Sequence, residues 1–270
     1  MSVLEKNRRR ILVTGAGSGL GQALALRYAR TGARVACVDL TVARAEATRA
    51  LLEGDEHLAL AADVASDAAM QQLFDRIALV WDGLDVLVNN AGIASGGPML
   101  ETTMEEWRRL LEVDLLSVVR GCRLFLPGML AQGSGQILST ASFAGLAGAP
   151  NMMTYGVAKA GVVALSEQLR AEMHGKNIQV GVICPSFFRT NLIDTAIGSE
   201  KVKQLALKLM DASPDSLDSV ADKVFAAGER GDFLILPTRH EPMRWRLKRW
   251  FPAIYFRMLV KIYSRTIARS

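Results

Sequence analysis

Arg10-Ile-Leu-Val-Thr14-Gly-Ala-Gly-Ser-Gly-Leu-Gly21-Gln-Ala-Leu-Ala-Leu-Arg-Tyr-Ala-Arg30 is the stretch whose reading decides the fold. Its first five residues form a short apolar run stopped by Gly15, the pattern of a strand buried on both faces. Gln22 to Arg30 has helical composition. Gly15, Gly17, Gly19 and Gly21 lie between the two, with Ser18 and Leu20 among them. A strand, a glycine turn and a helix bring exposed N–H groups and the positive end of a helix dipole to one point. A pyrophosphate binds there, because glycines let the backbone approach it closely. The generic G-x-G-x-x-G pattern does not fit this register, since its sixth position, counted from Gly15, is Leu20. Thr14-Gly-x-x-x-Gly-x-Gly21 does fit. The bland alternative is a flexible glycine loop.

The pattern repeats outward. Residues 34–39 read as a second strand ending in Asp39, and residues 41–53 as a helix. A carboxylate at that strand end, about 20 residues past the glycines, accepts both ribose hydroxyls of an adenosine and repels a 2′-phosphate. NAD is therefore expected over NADP, although Asp is also common near helix starts. Residues 57–62 read as a third strand ending at Asp63-Val64, Ser66 as the cap of a helix to Trp81, and residues 84–88 as a fourth strand closing in Asn89-Asn90-Ala-Gly92. A long helix runs from Thr102 or Thr103 to Leu126. A fifth strand at 135–141 leads to Ser142, a sixth at 178–184 to Pro185, and a seventh spans 233–237. Strands alternating with helices, without hairpin signals, predict an α/β, Rossmann-type, doubly wound sheet of seven parallel strands. Ligands of such sheets sit at the carboxyl ends of the strands, where Gly15, Asp39, Asp63 and Asn89-Asn90 all fall.

Tyr155-Gly-Val-Ala-Lys159 lies in a helix expected after Pro150 and ending near His174. Side chains four apart share a helix face, so phenol and ammonium point into one space. A free tyrosine titrates near ~10, and a neighbouring cation lowers that value. The pair is thus a candidate proton-transfer device. Taken alone, it is more simply read as a half-exposed helix face.

Composition bounds the rest. The chain has 270 residues, half of them apolar, enough for one large core. No apolar run is long enough to span a membrane, and no secretory signal follows the basic start. Cys37, Cys122 and Cys184 match no metal spacing and read as buried thiols of a reducing, cytoplasmic compartment; no metal is expected. Net charge is +5, but residues 239–270 hold nine Lys/Arg against Glu241 alone, leaving 23 basic and 26 acidic residues elsewhere. The body is near neutral, so nucleic acid is not an expected partner.

Together these motifs resemble the short-chain dehydrogenase/reductase family over residues 8–238, with 239–270 as an added basic, aromatic extension. The resemblance implies a cofactor turn at Gly15, Gly17, Ser18, Gly19, Leu20 and Gly21. It implies an adenine-side pair at Asp63-Val64, the strand-four motif at Asn89-Asn90-Ala-Gly92, and a catalytic set of Ser142, Tyr155 and Lys159. Pro185 and Thr190 fall where the family closes over the nicotinamide. Two positions depart from it. Asp114 stands where the family has asparagine, which supports a water linking the lysine to solvent; Asp114 is expected to alter the pH profile. Ser186 stands where glycine usually follows the proline.

The resemblance implies hydride transfer between NAD and a carbon bearing oxygen. Phe143, Leu146, Met152, Met153, Phe187, Phe188, Leu192 and Ile193 are the expected apolar wall, and residues 186–200 the expected lid, which favours a lipophilic alcohol or ketone. The same side chains would equally serve the core. Arg189 is a candidate anchor for an acidic headgroup. Alternatives are an NADP-dependent carbonyl reductase, a non-catalytic dinucleotide sensor and a membrane-associated scaffold. Family members usually form dimers or tetramers. In the tail, Arg257, Lys261, Arg265 and Arg269 recur every four residues, a basic stripe suited to peripheral contact with an anionic membrane; the alternatives are a cover over the substrate entrance, a contact with another subunit and, most plainly, a solvated basic helix packed on its own domain. Deleting residues 239–270 separates the scaffold from the enzyme, since a pure enzyme is expected to keep turnover.

Overall fold

The computed structural model describes residues 8–192, 196–198 and 200–267. Seven parallel strands form the central sheet: β1 (Arg10–Thr14), β2 (Arg34–Asp39), β3 (Leu58–Ala61), β4 (Val86–Asn89), β6 (Gly135–Thr140), β7 (Ile178–Ile183) and β9 (Leu234–Ile235). Their order is β3-β2-β1-β4-β6-β7-β9, the doubly wound topology expected. Two further short strands, β5 (Ser95–Gly96) and β8 (Ile197–Gly198), pair in parallel outside this sheet.

The helices are α1 (Gly19–Arg30), α2 (Val42–Arg49), α3 (Asp67–Val80), α4 (Met104–Leu111), α5 (Ser117–Gln132), α6 (Ala144–Ala147), α7 (Met153–Glu172), α8 (Glu200–Asp211), α9 (Leu217–Glu229), α10 (Glu241–Trp250) and α11 (Pro252–Ile267). They cover both sheet faces, which is why the strands are apolar throughout. Leu12, Leu87, Ile137 and Val182 face Met70 and Leu73 of α3, Phe125 and Met129 of α5, and Val162 of α7. The alternate residues Ile11, Val13, Val88, Leu138 and Ile183 face Leu24 and Tyr28 of α1 and Val220 and Val224 of α9. Strand side chains alternate between faces, so one continuous run serves two cores.

Caps fall where the sequence puts them. Ser66 Oγ accepts the Ala69 N–H at 3.2 Å. Thr103 and Glu106 form a reciprocal capping box. Several boundaries differ from expectation, three of them at helices around the site and its support. α1 begins inside the glycine turn, at Gly19. α2 stops at Arg49, not residue 53. α5 continues through Pro127 to Gln132 and is ended by Gly133 in the left-handed region, because Phe125 and Met129 are held in the core on either side of the proline. Between α4 and α5, Glu112–Leu116 form a π-helical turn. The three thiols are all buried and unpaired.

Candidate active site

Chain order reverses between β1 and β4, and the crevice at their carboxyl ends is built from this switch. Thr14 joins the two strands: its Oγ1 accepts the N–H groups of Asn90 (2.9 Å) and Ala91 (3.0 Å). Asn90 returns the contact, donating from Nδ2 to the Thr14 carbonyl at 3.0 Å, while its Oδ1 accepts from Thr140 at 3.2 Å. Asn90 thereby ties three strand ends together.

The glycines of the turn do different jobs. A Cβ on Gly21 would lie 2.3 Å from the Gly15 carbonyl oxygen, and one on Gly15 would lie 2.8 Å from Ala91 Cα. Both positions are fixed by backbone packing. Gly17 donates its N–H to Asp39 Oδ2 at 2.8 Å, so the β2 carboxylate touches the turn. Gly19 is different: φ is +55, and a Cβ there would meet only the Thr190 side chain, at 3.7 Å. That open approach lies at the start of α1, whose N-cap Ser18 makes no side-chain capping bond and whose first turn holds no acidic residue. Free helix N–H groups beneath an unobstructed glycine fit a pyrophosphate. Leu20, in contrast, is buried in the core.

Asp39 is only 5% exposed. Its carboxylate also accepts the Leu40 N–H at 2.9 Å and pairs with Arg44 at 3.2 Å. Arg44 also reaches Ser18 Oγ at 3.2 Å. Sequence reading missed Arg44, since nothing in a helical position five residues on marks it as facing the turn. Asp63 is exposed and closes its own turn onto the Ala65 N–H, while Val64 is buried.

Ser142, Tyr155, Lys159 and Asp114 converge past the end of β4, where a Cβ on Gly92 would lie 3.3 Å from Lys159 Nζ and 3.4 Å from Asp114 Oδ1. Ser142 lies just past β6; its Oγ accepts the Ala144 N–H at 3.1 Å and lies 3.4 Å from the Pro185 carbonyl. Tyr155 and Lys159 stand on one face of α7, the ammonium 5.7 Å from the ring centroid. Lys159 donates to the Thr140 carbonyl at 3.0 Å and pairs with Asp114 at 3.3 Å. Asp114 is fully buried in the π-helical turn, and its other oxygen accepts the Ile93 N–H at 2.8 Å. The carboxylate therefore meets the lysine directly, a closer engagement than the shared water expected from sequence.

The electrostatics follow from burial and these neighbours. Burial pushes the Asp114 carboxyl up, against the pull of Lys159 and Ile93. Burial by itself would lower Lys159, but Asp114 and Tyr155 outweigh it and hold the ammonium above its ordinary value. An ionised pair satisfies both the Thr140 and the Asp114 contacts. Tyr155 is raised, not lowered: burial dominates, Lys159 opposes it, Asp114 adds to it, and the neighbouring Ser142 hydroxyl again opposes it. Among protein groups alone, burial keeps the phenol above its ordinary value against the pull of Lys159, and Asp114 offsets part of that pull.

The expected apolar wall divides. Phe143, Leu146 and Phe188 are buried in the two cores, as the plainer reading had it. Met152, Phe187 and Leu192 are half-buried and Met153 is exposed. Ile193 and part of the expected lid lie outside the described residues. Arg189 is exposed and paired with Asp211 at 2.7 Å.

The sheet, its switch-point crevice and the glycine turn define a dinucleotide-binding α/β protein. Comparison with known proteins narrows the class. Residues 9–201 match the short chain dehydrogenase family. D-threitol dehydrogenase of Mycolicibacterium smegmatis is 36% identical over 223 residues, which cover 81% of this chain and 85% of that protein. A short-chain dehydrogenase/reductase from Burkholderia phymatum in complex with NAD superposes with a TM-score of 0.83 at 28% identity, covering 90% of this chain and 93% of that one. A short-chain dehydrogenase from Sphingobium yanoikuyae in complex with NADPH gives 0.77 at 28% identity, covering 88% and 91%. The chain belongs to the short-chain dehydrogenase/reductase family and is an NAD(P)-dependent oxidoreductase acting on a CH–OH group.

Proposed function

We propose that the protein is an NAD-preferring dehydrogenase that interconverts a lipophilic secondary alcohol and its ketone. The observation that carries this reading is the convergence of Ser142, Tyr155, Lys159 and Asp114 at the sheet edge that also carries the glycine turn. When bound, the nicotinamide accepts or supplies the hydride. Tyr155 takes the hydroxyl proton in the oxidative direction. Ser142 donates a hydrogen bond to the substrate oxygen, where charge develops. Lys159 favours the Tyr155 phenolate, and Asp114 sets how strongly it does so. Gly15, Gly17, Ser18, Gly19, Leu20 and Gly21 form the pyrophosphate turn; Asp39 holds the adenosine ribose and disfavours a 2′-phosphate. Asp63 and Val64 border the adenine, Asn90 braces the turn, and Pro185 and Thr190 border the nicotinamide. The relative from M. smegmatis is named for a polyol, so the substrate panel that tests this reading spans small diols and lipophilic secondary alcohols. Turnover confined to the diols removes the lipophilic assignment and leaves the reaction class.

Two contacts extend the proposal. The hollow on the outer face of α5 and α7, lined by Val119, Leu126, Leu130, Leu165 and Leu169, supports self-association through these helices. Sedimentation velocity on Leu130→Arg tests it, with a shift toward monomer expected. The corner where α10 meets α11 exposes Trp250 and Phe251, and Arg246, Arg249, Arg257 and Lys261 are exposed along the same two helices. Exposed aromatics among cations support peripheral contact with an anionic bilayer. Absence of co-sedimentation with anionic vesicles removes that contact.

A further inference from the structure

The C-terminal helices are fastened at several points to the segment that presents the catalytic side chains. α6 ends at Ala147, with Gly148 in the left-handed region at φ +67. Lys248 of α10 donates from Nζ to the Leu146 carbonyl at that helix end. A cation there satisfies a carbonyl the short helix leaves free. Burial holds the Lys248 ammonium below its ordinary range, as its position against α6 requires. Trp245, one turn earlier, packs on the core cluster that contains Phe143, Leu146 and Ala147.

The far end of the same segment is held by α11. Asn151 has φ +60, in the left-handed region that asparagine adopts more readily than other L residues. Its side chain accepts from the Tyr263 hydroxyl at 3.4 Å, and its carbonyl accepts the Gly97 N–H at 2.9 Å. Thr154 Oγ1 donates to Ser95 Oγ at 3.1 Å. Residues 144–154 are thus stitched to the β5 loop on one side and to the tail on the other. The chain entering the tail joins in: Thr238 Oγ1 accepts the Ser186 N–H at 3.1 Å, next to Pro185.

We propose that α10 and α11 are a strap that sets the conformation of residues 144–154, with Lys248 and Tyr263 as positioning residues for Ser142 and Tyr155. This rests on the catalytic reading of Ser142 and Tyr155 given above. It reverses the expectation that an enzyme lacking residues 239–270 keeps turnover. Lys248 and Tyr263 bond residues 146 and 151 rather than the glycine turn, so dinucleotide binding and substrate turnover respond differently when these two contacts are loosened.

The test uses the full chain with Lys248→Met and Tyr263→Phe, singly and together, and Lys248→Arg as the conservative variant. Amide hydrogen exchange is read by segment, with NADH affinity by fluorescence titration and kcat and KM for the alcohol. The double variant is expected to exchange about tenfold faster in residues 144–154 and unchanged in residues 11–24. NADH affinity stays within about twofold and kcat falls about fivefold or more, with Lys248→Arg restoring most of it. Unchanged exchange in 144–154 in the double variant overturns the strap. Faster exchange with kcat unaltered overturns its positioning role. If the double variant loosens everywhere, Tyr263→Phe decides alone: it removes one hydroxyl, and its effect must be confined to 144–154 for the proposal to stand. Faster local exchange in a protein whose wild type turns over no alcohol sinks the catalytic reading and leaves the strap in place.

Discussion

Asp114→Asn removes one negative charge from the most buried ionic contact of the site while keeping an oxygen for the Ile93 N–H. The carboxylate lies 3.3 Å from Lys159 Nζ, and that nitrogen lies 5.7 Å from the Tyr155 ring centroid. Laid end to end, these place the charge no more than about 9 Å from the ring, where a unit charge acts with about 1.8 kcal/mol at an effective dielectric of ~20, or roughly 1.3 pH units. The sign is fixed by the chemistry. A carboxylate disfavours the phenolate and raises Tyr155, as its position requires. Removing it lowers the Tyr155 pKa, and Tyr155 works as a base only when deprotonated. The acid limb of the alcohol-oxidation profile is therefore expected to move about one unit toward lower pH. The assay is kcat/KM for NADH formation across pH, wild type against Asp114→Asn, with NADH affinity as the control for folding. A limb that stays in place contradicts the prediction, and with it the ionised Lys159–Asp114 pair on which it rests. A limb that moves upward refutes the electrostatic argument outright.

Three further outcomes are expected. Gly21→Ala forces a Cβ to within 2.3 Å of the Gly15 carbonyl, so thermal melting should show a loss of about 1–3 kcal/mol, and NADH titration a weaker affinity. Asp39→Ala takes away the group that repels a 2′-phosphate and leaves Arg44 beside Ser18, so the NAD⁺/NADP⁺ ratio of kcat/KM should fall at least about tenfold; an unchanged ratio removes Asp39 from cofactor choice. Thr103→Ala breaks the α4 capping box away from the site, lowering stability by about 1 kcal/mol in a denaturant melt without changing kcat.

Much of the fold was legible because a doubly covered parallel sheet leaves a strong trace. β1 and β2 are uninterrupted apolar runs whose ends coincide with Gly15 and Asp39, and their expected bounds match those found. The Ser66 and Thr103 caps carried the starts of α3 and α4 for the same local reason. Features set by tertiary contact were not legible. The π-helical turn that buries Asp114 obeys no 3.6-residue period, so only the departure from the family pattern marked that position. α5 passes through Pro127 because its two flanking core contacts outweigh the proline's preference for a helix end. α6, α8, α9 and the β5–β8 pair went unread: α6 and both strands are too short to show a period, and α8 and α9 follow a loop taken as a lid. Phe143, Leu146 and Phe188 look the same in sequence whether they face substrate or core. The tail read as one basic stripe; the break at Phe251–Pro252 and the inward reach of Lys248 and Tyr263 depend on what the helices fold against.

The most direct test of the central claim is NADH formation by the purified full chain across the alcohol panel, run beside NADP⁺ and beside Tyr155→Phe. The account predicts turnover with NAD⁺ that falls by about 10³-fold or more in the Phe variant, while NADH binding is retained. Wild-type turnover in Tyr155→Phe would contradict the assignment of the proton-transferring group, and with it the site on which the account is built.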